Sequence, residues 1–337
     1  MKNLFFIAFL SILLLLNIDP GLCNENQKLA QTGMKFLSIS TDARASAMAD
    51  AVTALEGGSV NMFYNPSAMA RVDKLFNISF GQVTWLAEMK QMYGTMAFNP
   101  ALGKYGVFGL SMMSMDYGAF NGTIRADNDQ GFIETGNFSP DAMVLGLGYA
   151  IALTDKFSVG GNVKYVSQSL GSVVVSYDED GGFIKEDNET NVAAFDFGVL
   201  YHTGFKSLNF GMNVRNFSRE IKFLEESFQL PLTFKVGLSM NLLDLYNIAP
   251  ERHTLYLAAD ASHPRDYSET VNVGMEYVFS NMLALRAGYS TPNDEYGFST
   301  GIGVSKSFSG FDLTFDYAYT PYDAFEDVQR ISVHFSF

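Results

Sequence analysis

The chain has 337 residues, of which 47% are hydrophobic and 17% are charged, and its formal net charge at pH 7 is −14. This acidic balance argues against a nucleic acid as a partner. Beyond the N-terminal region, no apolar run approaches the ~18 residues expected of a transmembrane helix. The hydrophobic residues must therefore be distributed in another way.

Residues 1–23 are predicted to be a signal peptide. Lys2 supplies the positive start, residues 4–16 form the apolar stretch, and Gly21, Leu22 and Cys23 form a cleavage site. The alternative is a retained membrane anchor. A lipid-modified cysteine usually follows a small residue, whereas Leu22 precedes Cys23, so cleavage after Cys23 is expected. The mature protein would then contain no cysteine and no disulfide.

Residues 24–74 differ in composition from the remainder of the chain. Thr41 and Asp42 can cap a helix that runs through Leu55 and is rich in small residues. Asn65 followed by Pro66 predicts the start of a second helix. Because this segment precedes a long series of strands, we interpret it as a plug inside a barrel. A periplasmic tail outside the barrel is the alternative.

From residue 75 onwards, apolar and polar residues alternate. Phe234 and Val236, for example, flank Lys235, and this period of two is that of an extended strand with one apolar face. About 14 such segments occur, each near the ~9–11 residues needed to cross a bilayer. They lie near residues 75–83, 90–98, 104–115, 141–152, 156–168, 191–202, 206–217, 230–242, 253–262, 269–280, 282–290, 298–308, 310–319 and 328–337.

The connections between these segments alternate in length. Those after even-numbered strands are mostly tight, whereas those after odd-numbered strands include the two longest, 116–140 and 169–190. An even number of strands with this alternation is typical of bacterial outer-membrane barrels. We predict an all-β fold, an antiparallel transmembrane β-barrel of about 14 strands over residues 75–337, with both termini periplasmic. The acidic outward loops are either solvated or contact lipopolysaccharide through divalent cations.

If the apolar face contacts lipid, the charged side chains of the strands point into the lumen. Charges at the lipid face would cost about 2–4 kcal/mol for Arg or Lys at the midplane. Opposite charges on neighbouring strands predict the pairs Lys164–Asp196, Asp196–Arg215 and Glu276–Arg286. The set forms either a paired network or a polar conduit and binding site. Its members are Lys164, Asp196, Arg215, Lys235, Asp260, Glu276, Arg286, Asp312, Asp316 and His334.

No catalytic or cofactor motif is present in the sequence. The four histidines are scattered, and no Gly-rich phosphate loop or nucleophile motif occurs. The loop acidity is too unspecific to indicate a metal site. We therefore expect a protein that is not an enzyme and that uses neither a cofactor nor a metal.

Several sequence blocks carry a resemblance to a known family. They are GMKFL at residues 33–37, DARA at 42–45, YNPS at 64–67, GNFSPD at 136–141 and LTDKFSVG at 153–160. In this order they resemble the PorV/PorQ family of the FadL-like outer-membrane barrels. The plug motif is Asp42, Arg44, Asn65, Pro66 and Ser67; the family more often has Ala where Ser67 stands.

The resemblance implies a component of type IX secretion that binds exported proteins through extracellular loops. Its implied partners are the secretion translocon, its exported client proteins and the surrounding outer-membrane lipid and lipopolysaccharide. The alternative, implied by the wider FadL-like group, is a channel for the uptake of hydrophobic small molecules. The four outward loops implied as a partner surface are 116–140, 169–190, 218–229 and 320–327.

Overall fold

The computed structural model describes residues 32–177, 182–223, 226–246, 252–293, 297–323 and 325–337. The predicted signal peptide lies outside these residues. Strands dominate, because the period of two seen in the sequence extends over most of the chain. The described strands are β1 (Phe76–Thr84), β2 (Lys90–Phe98), β3 (Val107–Asp116), β4 (Phe120–Arg125), β5 (Phe132–Phe138), β6 (Asp141–Ala152), β7 (Phe157–Tyr177), β8 (Phe183–His202), β9 (Asn209–Ser218), β10 (Ile221–Phe223), β11 (Glu226–Phe228), β12 (Thr233–Asn241), β13 (His253–Pro264), β14 (Thr270–Phe279), β15 (Leu283–Thr291), β16 (Phe298–Phe308), β17 (Phe311–Thr320) and β18 (Val328–Ser336).

Fourteen of these strands form one closed antiparallel barrel, in the order β1-β18-β17-β16-β15-β14-β13-β12-β9-β8-β7-β6-β3-β2. The first strand pairs with the last, so the barrel has no free edge, as a sheet in lipid requires. The predicted barrel of 14 strands is confirmed. The predicted bounds agree within three residues, except where β7 and β8 continue further.

The two faces of the wall differ in polarity as the alternation predicts. Phe234, Val236 and Leu238 belong to the face that points away from the lumen, and Leu238 is 47% exposed. Between them, the Lys235 side chain points inward and is only 7% exposed. An exposed apolar outer face is unstable in water and stable in lipid.

The long connections contain strands that the sequence analysis assigned to loops. The hairpin β4–β5 occupies most of 116–140, and the extensions of β7 and β8 pair with each other across 169–190. A third hairpin, β10–β11, lies within 218–229. We call this end of the barrel the long-loop end and the opposite end the short-turn end. The Phe337 terminus lies at the short-turn end, where its backbone pairs with Phe76.

Residues 32–74 lie inside the barrel and contact strands around much of its wall. A single α-helix, α1 (Ala43–Ala47), begins at the N-cap Asp42, and 3₁₀ helices span Lys35–Ser38, Ser59–Phe63 and Pro66–Arg71. We call residues 32–74 the plug. Thr32, its first described residue, is at the long-loop end, where it contacts Asp266. No helix in the described part of the chain is long and apolar enough to cross a membrane.

The predicted helix through Leu55 is wrong beyond Ala47. Ala49 and Asp50 both adopt left-handed backbone conformations, and the Asp50 N–H donates to the Ala45 carbonyl across the helix end. The reason is contact with the wall. A Cβ on Gly288 would come within 2.3 Å of the Ala49 nitrogen, so the wall glycine permits the plug backbone to approach and turn there.

Candidate functional site

A chain of ion pairs joins the plug to the wall near the middle of the barrel. Arg44 of α1 donates from Nε and Nη2 to the two carboxylate oxygens of Glu276, at 2.9 and 2.7 Å. Glu276 also pairs with Arg286 at 2.5 Å, and Arg286 pairs with Asp316 at 2.7 Å. All four residues belong to the predicted site, and the predicted Glu276–Arg286 pair is present.

The same chain continues back to the plug. His334 lies 3.3 Å from Asp316 and 3.5 Å from Asp42. Asp42 in turn accepts the Arg44 backbone N–H at 3.1 Å, which closes the sequence of contacts into a ring. Burial raises the pKa of the Asp42 carboxyl, and the neighbouring His334 opposes that rise. We call these six residues the charge ring: Asp42, Arg44, Glu276, Arg286, Asp316 and His334.

The Asn-Pro-Ser motif fastens a second part of the plug. The Asn65 side-chain oxygen caps the following 3₁₀ helix by accepting the Ser67 N–H at 3.2 Å and the Ser67 hydroxyl at 2.6 Å. Its amide donates to the carbonyls of Thr53 and Val199, at 2.7 and 3.1 Å. Asn65 is fully buried, so all four contacts form away from water. Pro66 begins the helix, as the sequence predicts.

A third cluster lies on the wall between β7, β8 and β9. Lys164 pairs with Asp196 at 2.8 Å, as predicted, and also donates to the Asn216 side chain at 2.6 Å. The predicted Asp196–Arg215 pair is absent from the ion pairs of the described residues. A β-bulge lies between Phe195 and Phe197, and it brings the Asn216 N–H to Asp196 at 2.7 Å instead.

The remaining predicted lumen residues are separate from the charge ring. Asp260 accepts the Thr53 N–H at 3.0 Å, and Lys235 lies 3.5 Å from the Asp50 carbonyl. Both side chains are buried, with 1% and 7% exposure, so they point inward as expected. Asp312 is at the short-turn end, half exposed, and pairs with Lys74 at 3.2 Å; it is therefore peripheral to the lumen.

A cavity of about 1040 Å³ lies between the plug and the long-loop end, and we call it the cup. It is at the upper limit of the ~300–1,000 Å³ usual for ligand pockets. Its wall combines four basic and two acidic side chains, Asp50 and Asp266, with hydroxyl, amide and apolar side chains. The basic ones are Lys35, Arg215, Lys235 and Arg330, and the apolar ones include Trp85, Met89, Met115 and Tyr117.

Sequence reasoning missed three residues that shape this site. Tyr64 accepts the Asp42 N–H through its hydroxyl at 3.0 Å. Asp266 pairs with Lys35 at 2.5 Å, and Arg330 donates to the Ser40 carbonyl at 2.8 Å. Arg330 alternates with the outward-facing residues of β18, so the period of two in the sequence could have identified it as an inward-facing residue. The partners of Tyr64 and Asp266 depend on how the plug threads the barrel.

Nothing among the described residues resembles a metal site, since no group of three His, Cys, Asp or Glu side chains is arranged to hold an ion. The charged side chains of the charge ring face one another. The arrangement therefore joins the plug to the wall.

Solved structures with similar folds include two toluene transporters and a FadL homologue. The toluene transporter TbuX of Ralstonia pickettii matches with a TM-score of 0.59 and 13% identity, over 88% of this chain and 98% of that one. The toluene transporter TodX of Pseudomonas putida matches with a TM-score of 0.57 and 12% identity, over 88% and 97%. A FadL homologue of Pseudomonas aeruginosa matches with 0.54 and 10%, over 89% and 98%. At these identities the likeness shows the fold alone.

No curated protein gives a significant sequence match. Residues 133–331, more than half of the chain, match the family described as type IX secretion system membrane protein PorP/SprF. This family match agrees with the type IX secretion part of the resemblance found in the sequence, whereas PorV/PorQ in particular stays a prediction. The chain has the fold of a FadL-like outer-membrane β-barrel and belongs to the PorP/SprF family of type IX secretion system membrane proteins.

Proposed function

We propose that this chain is a non-enzymatic outer-membrane component of type IX secretion that binds exported proteins at its long-loop end. The observation that carries the proposal is the family match over residues 133–331, which covers β5 to β18 almost completely. The match thus spans most of the wall and most of the long connections.

The filled lumen supports a binding role over a general pore. The plug is joined to the wall by the charge ring on one side and by Asn65 on the other. Met48, Met62 and Met69 of the plug are completely buried. Ions and polypeptides would have to displace this packed segment in order to pass through the middle of the barrel.

The orientation is part of the proposal. Outer-membrane barrels have short periplasmic turns and longer extracellular loops. We therefore place the long-loop end outside the cell, and the short-turn end with Phe337 in the periplasm. The periplasmic N-terminus expected from the sequence stays a prediction, because Thr32 lies at the long-loop end and the residues before it lie outside the described part. The cup then opens toward the extracellular side, where an exported protein would arrive.

Within type IX secretion, we assign the chain a PorV/PorQ-like role. The support is the ordered set of sequence blocks, of which the plug motif and the block at 153–160 pack together: a Cβ on Gly160 would come within 2.6 Å of the Pro66 and Ser67 backbone. In this role the barrel receives an exported client protein near the translocon before the client is released or attached to the surface.

The test is deletion of the gene in its native host, followed by quantitative proteomics of the cell surface, medium and periplasm. We expect a set of exported proteins that share a C-terminal domain to fall at the surface and accumulate in the periplasm. Re-expression of the intact chain should reverse both changes. Unchanged surface and medium levels of such proteins would contradict the proposal.

A second candidate is the uptake of hydrophobic small molecules. It is favoured by the fold shared with the two toluene transporters, and by the partly apolar cup. Exit through the wall would require a lateral opening. Outside the β7–β8 extension, the described strand pairs of the barrel contain one register shift, which is the bulge between Phe195 and Phe197. Asp196 lies at this bulge and is paired with Lys164. Slower uptake of such compounds in the deletion strain, with secretion intact, would favour this candidate.

A further inference from the structure

The cup contains cations without carboxylate partners. Four basic side chains line it, and Lys35 is paired with Asp266. Among the described residues, no carboxylate lies within ion-pairing distance of Arg215, Lys235 or Arg330. Two of these three are nine-tenths buried or more, since Lys235 is 7% exposed and Arg330 is 3% exposed. Burial of a cation without a paired anion is costly.

The three cations converge on one part of the plug. Arg215 donates to the Leu37 carbonyl at 3.2 Å, and Arg330 donates to the Ser40 carbonyl at 2.8 Å. Leu37 and Ser40 are three residues apart, so their Cα atoms are separated by at most about 11 Å. Lys235 reaches the Asp50 carbonyl, and Asp50 is itself bound by the Ser40 hydroxyl at 2.5 Å. Arg215 of β9 and Arg330 of β18 thus approach the same short plug segment from different parts of the wall.

Two carboxylates, Asp50 and Asp260, lie near the three cations, and the attraction between Lys235 and Asp260 offsets part of the positive charge. The Asp50 carboxylate accepts the Ser40 hydroxyl, and Asp260 accepts the Thr53 N–H, so each is engaged with the plug. The cations hydrogen-bond to carbonyls and, for Arg330, to the Thr320 hydroxyl. An oxyanion in the cup would supply a negative charge that the neutral carbonyl and hydroxyl partners lack, and its contacts with the cations would be ion pairs.

The surroundings of the cup have the opposite charge. The seven connections at the long-loop end are acidic: their described residues, which are 85–89, 117–140, 169–177, 182–190, 219–223, 226–232, 265–269, 292–293, 297, 321–323 and 325–327, contain 14 acidic and 5 basic residues. A ligand that fits both regions has an anionic end for the cup and cationic groups for the connections above it.

We propose that the cup binds the end of an extended peptide. The terminal carboxylate contacts Arg215, Lys235 and Arg330, and basic side chains a few residues earlier face the acidic connections. The intervening apolar side chains pack against Trp85, Met89, Met115 and Tyr117. This inference rests on the proposed function, because the peptide end belongs to an exported protein.

The test uses the purified full chain in detergent and a synthetic probe. The probe is a fluorescent ten-residue peptide with apolar residues before its free C-terminus and two lysines further upstream. A second peptide is identical except for a C-terminal amide. We expect the amide to bind roughly tenfold more weakly or worse, as the loss of a charged hydrogen-bond partner implies. The affinity of the acid peptide should also fall as salt rises.

Variants of the cup then assign the effect to its cations. We expect Arg215→Gln and Lys235→Met each to lower affinity for the acid peptide and to leave affinity for the amide unchanged. Lys35→Gln is the matched control, because it removes a cation of the same cavity that is already paired, and it should leave the difference between acid and amide intact. Arg215 is only partly buried and contacts the plug through one hydrogen bond and through the ring of Tyr64, so this variant is expected to fold.

Three results would overturn the inference: equal affinity for acid and amide, no binding of the acid peptide, or an effect of Lys35→Gln equal to that of Lys235→Met. Its failure is separate from failure of the proposed function. If the deletion strain accumulates exported proteins in the periplasm while the acid and amide peptides bind alike, only the cup inference is wrong. If the deletion strain secretes normally, the proposed function is wrong.

Discussion

Cations in the middle of the barrel and cations in the cup are used differently. Arg44 and Arg286 are each bound by carboxylates, and the six residues of the charge ring contact one another in sequence. Arg215 and Arg330, nearer the long-loop end, hydrogen-bond to plug carbonyls. Both arginines of the charge ring have carboxylate partners without a ligand, whereas Arg215 and Arg330 have neutral partners only. The plug is thus held to the wall in the middle of the lumen, whereas the proposed ligand binds nearer the long-loop end.

Breaking the charge ring should have the largest effect. Glu276→Gln removes the carboxylate shared by Arg44 and Arg286 and leaves buried positive charge without its partner. We expect a loss of about 3–5 kcal/mol in the free energy of unfolding, measured by urea titration of the barrel in lipid vesicles. The variant should also conduct ions more readily in planar bilayers, since the plug loses one attachment.

The matched control is Asp312→Asn, which breaks an ion pair that is about 40% exposed on both sides. Exposed pairs contribute about 0–1 kcal/mol. A loss in this control as large as that of Glu276→Gln would show that any removal of a carboxylate destabilises the barrel, and the special role of the ring would be refuted.

Removal of the Asn65 side chain should have the next largest effect. Asn65→Ala leaves the buried carbonyls of Thr53 and Val199 without this donor, and we expect a loss of about 2–3 kcal/mol in unfolding free energy. Asn128→Ala is the control: Asn128 makes three similar contacts within an exposed turn, so water can replace them. Equal losses in the two variants would contradict the fastening role of Asn65.

The wall glycines allow a test of close plug packing. Gly288→Ala would place a Cβ against the Ala49 nitrogen and the Met48 backbone, and we expect it to destabilise the folded barrel by about 1–3 kcal/mol. Gly161→Ala is the control, because its new Cβ would meet its nearest atom at an ordinary 3.4 Å. Thermal unfolding monitored by gel mobility compares the two. A fully stable Gly288→Ala would indicate that the plug can shift without cost.

Supplying a carboxylate to the cup should have the smallest effect on stability and a clear effect on binding. Ser262 lies directly opposite Lys235 on β13, and both line the cup. Ser262→Asp gives the buried Lys235 an internal partner, and because desolvation of the new carboxylate opposes its attraction to Lys235, the unfolding free energy should change little while acid-peptide affinity falls roughly tenfold. Ser262→Asn controls for size. Undiminished peptide binding by Ser262→Asp would contradict the importance of an unpaired Lys235.

The wall was predictable from sequence because side chains of a strand alternate, so one pattern identifies both the strand and its inward residues. Lys164–Asp196 and Glu276–Arg286 were found in this way. The Asp196–Arg215 pair failed because a bulge cannot be read from alternation. The end of α1 was missed since Met48, Ala49 and Asp50 contain no local stop signal; Gly274 and Gly288 of the distant wall determine the turn. The contacts between plug and wall in the charge ring likewise depend on the path of the plug through the barrel, which the alternation of the strands does not indicate.

Crosslinking in living cells tests the central claim most directly. A photoreactive amino acid replaces Tyr117, which lines the cup, or Phe205, which is exposed in a connection at the short-turn end. If exported proteins dock in the cup, irradiation should yield adducts from position 117 with proteins that share a C-terminal domain, and none of these from position 205. Adducts of that kind from position 205 alone, or from neither position while such proteins are being secreted, would contradict the account.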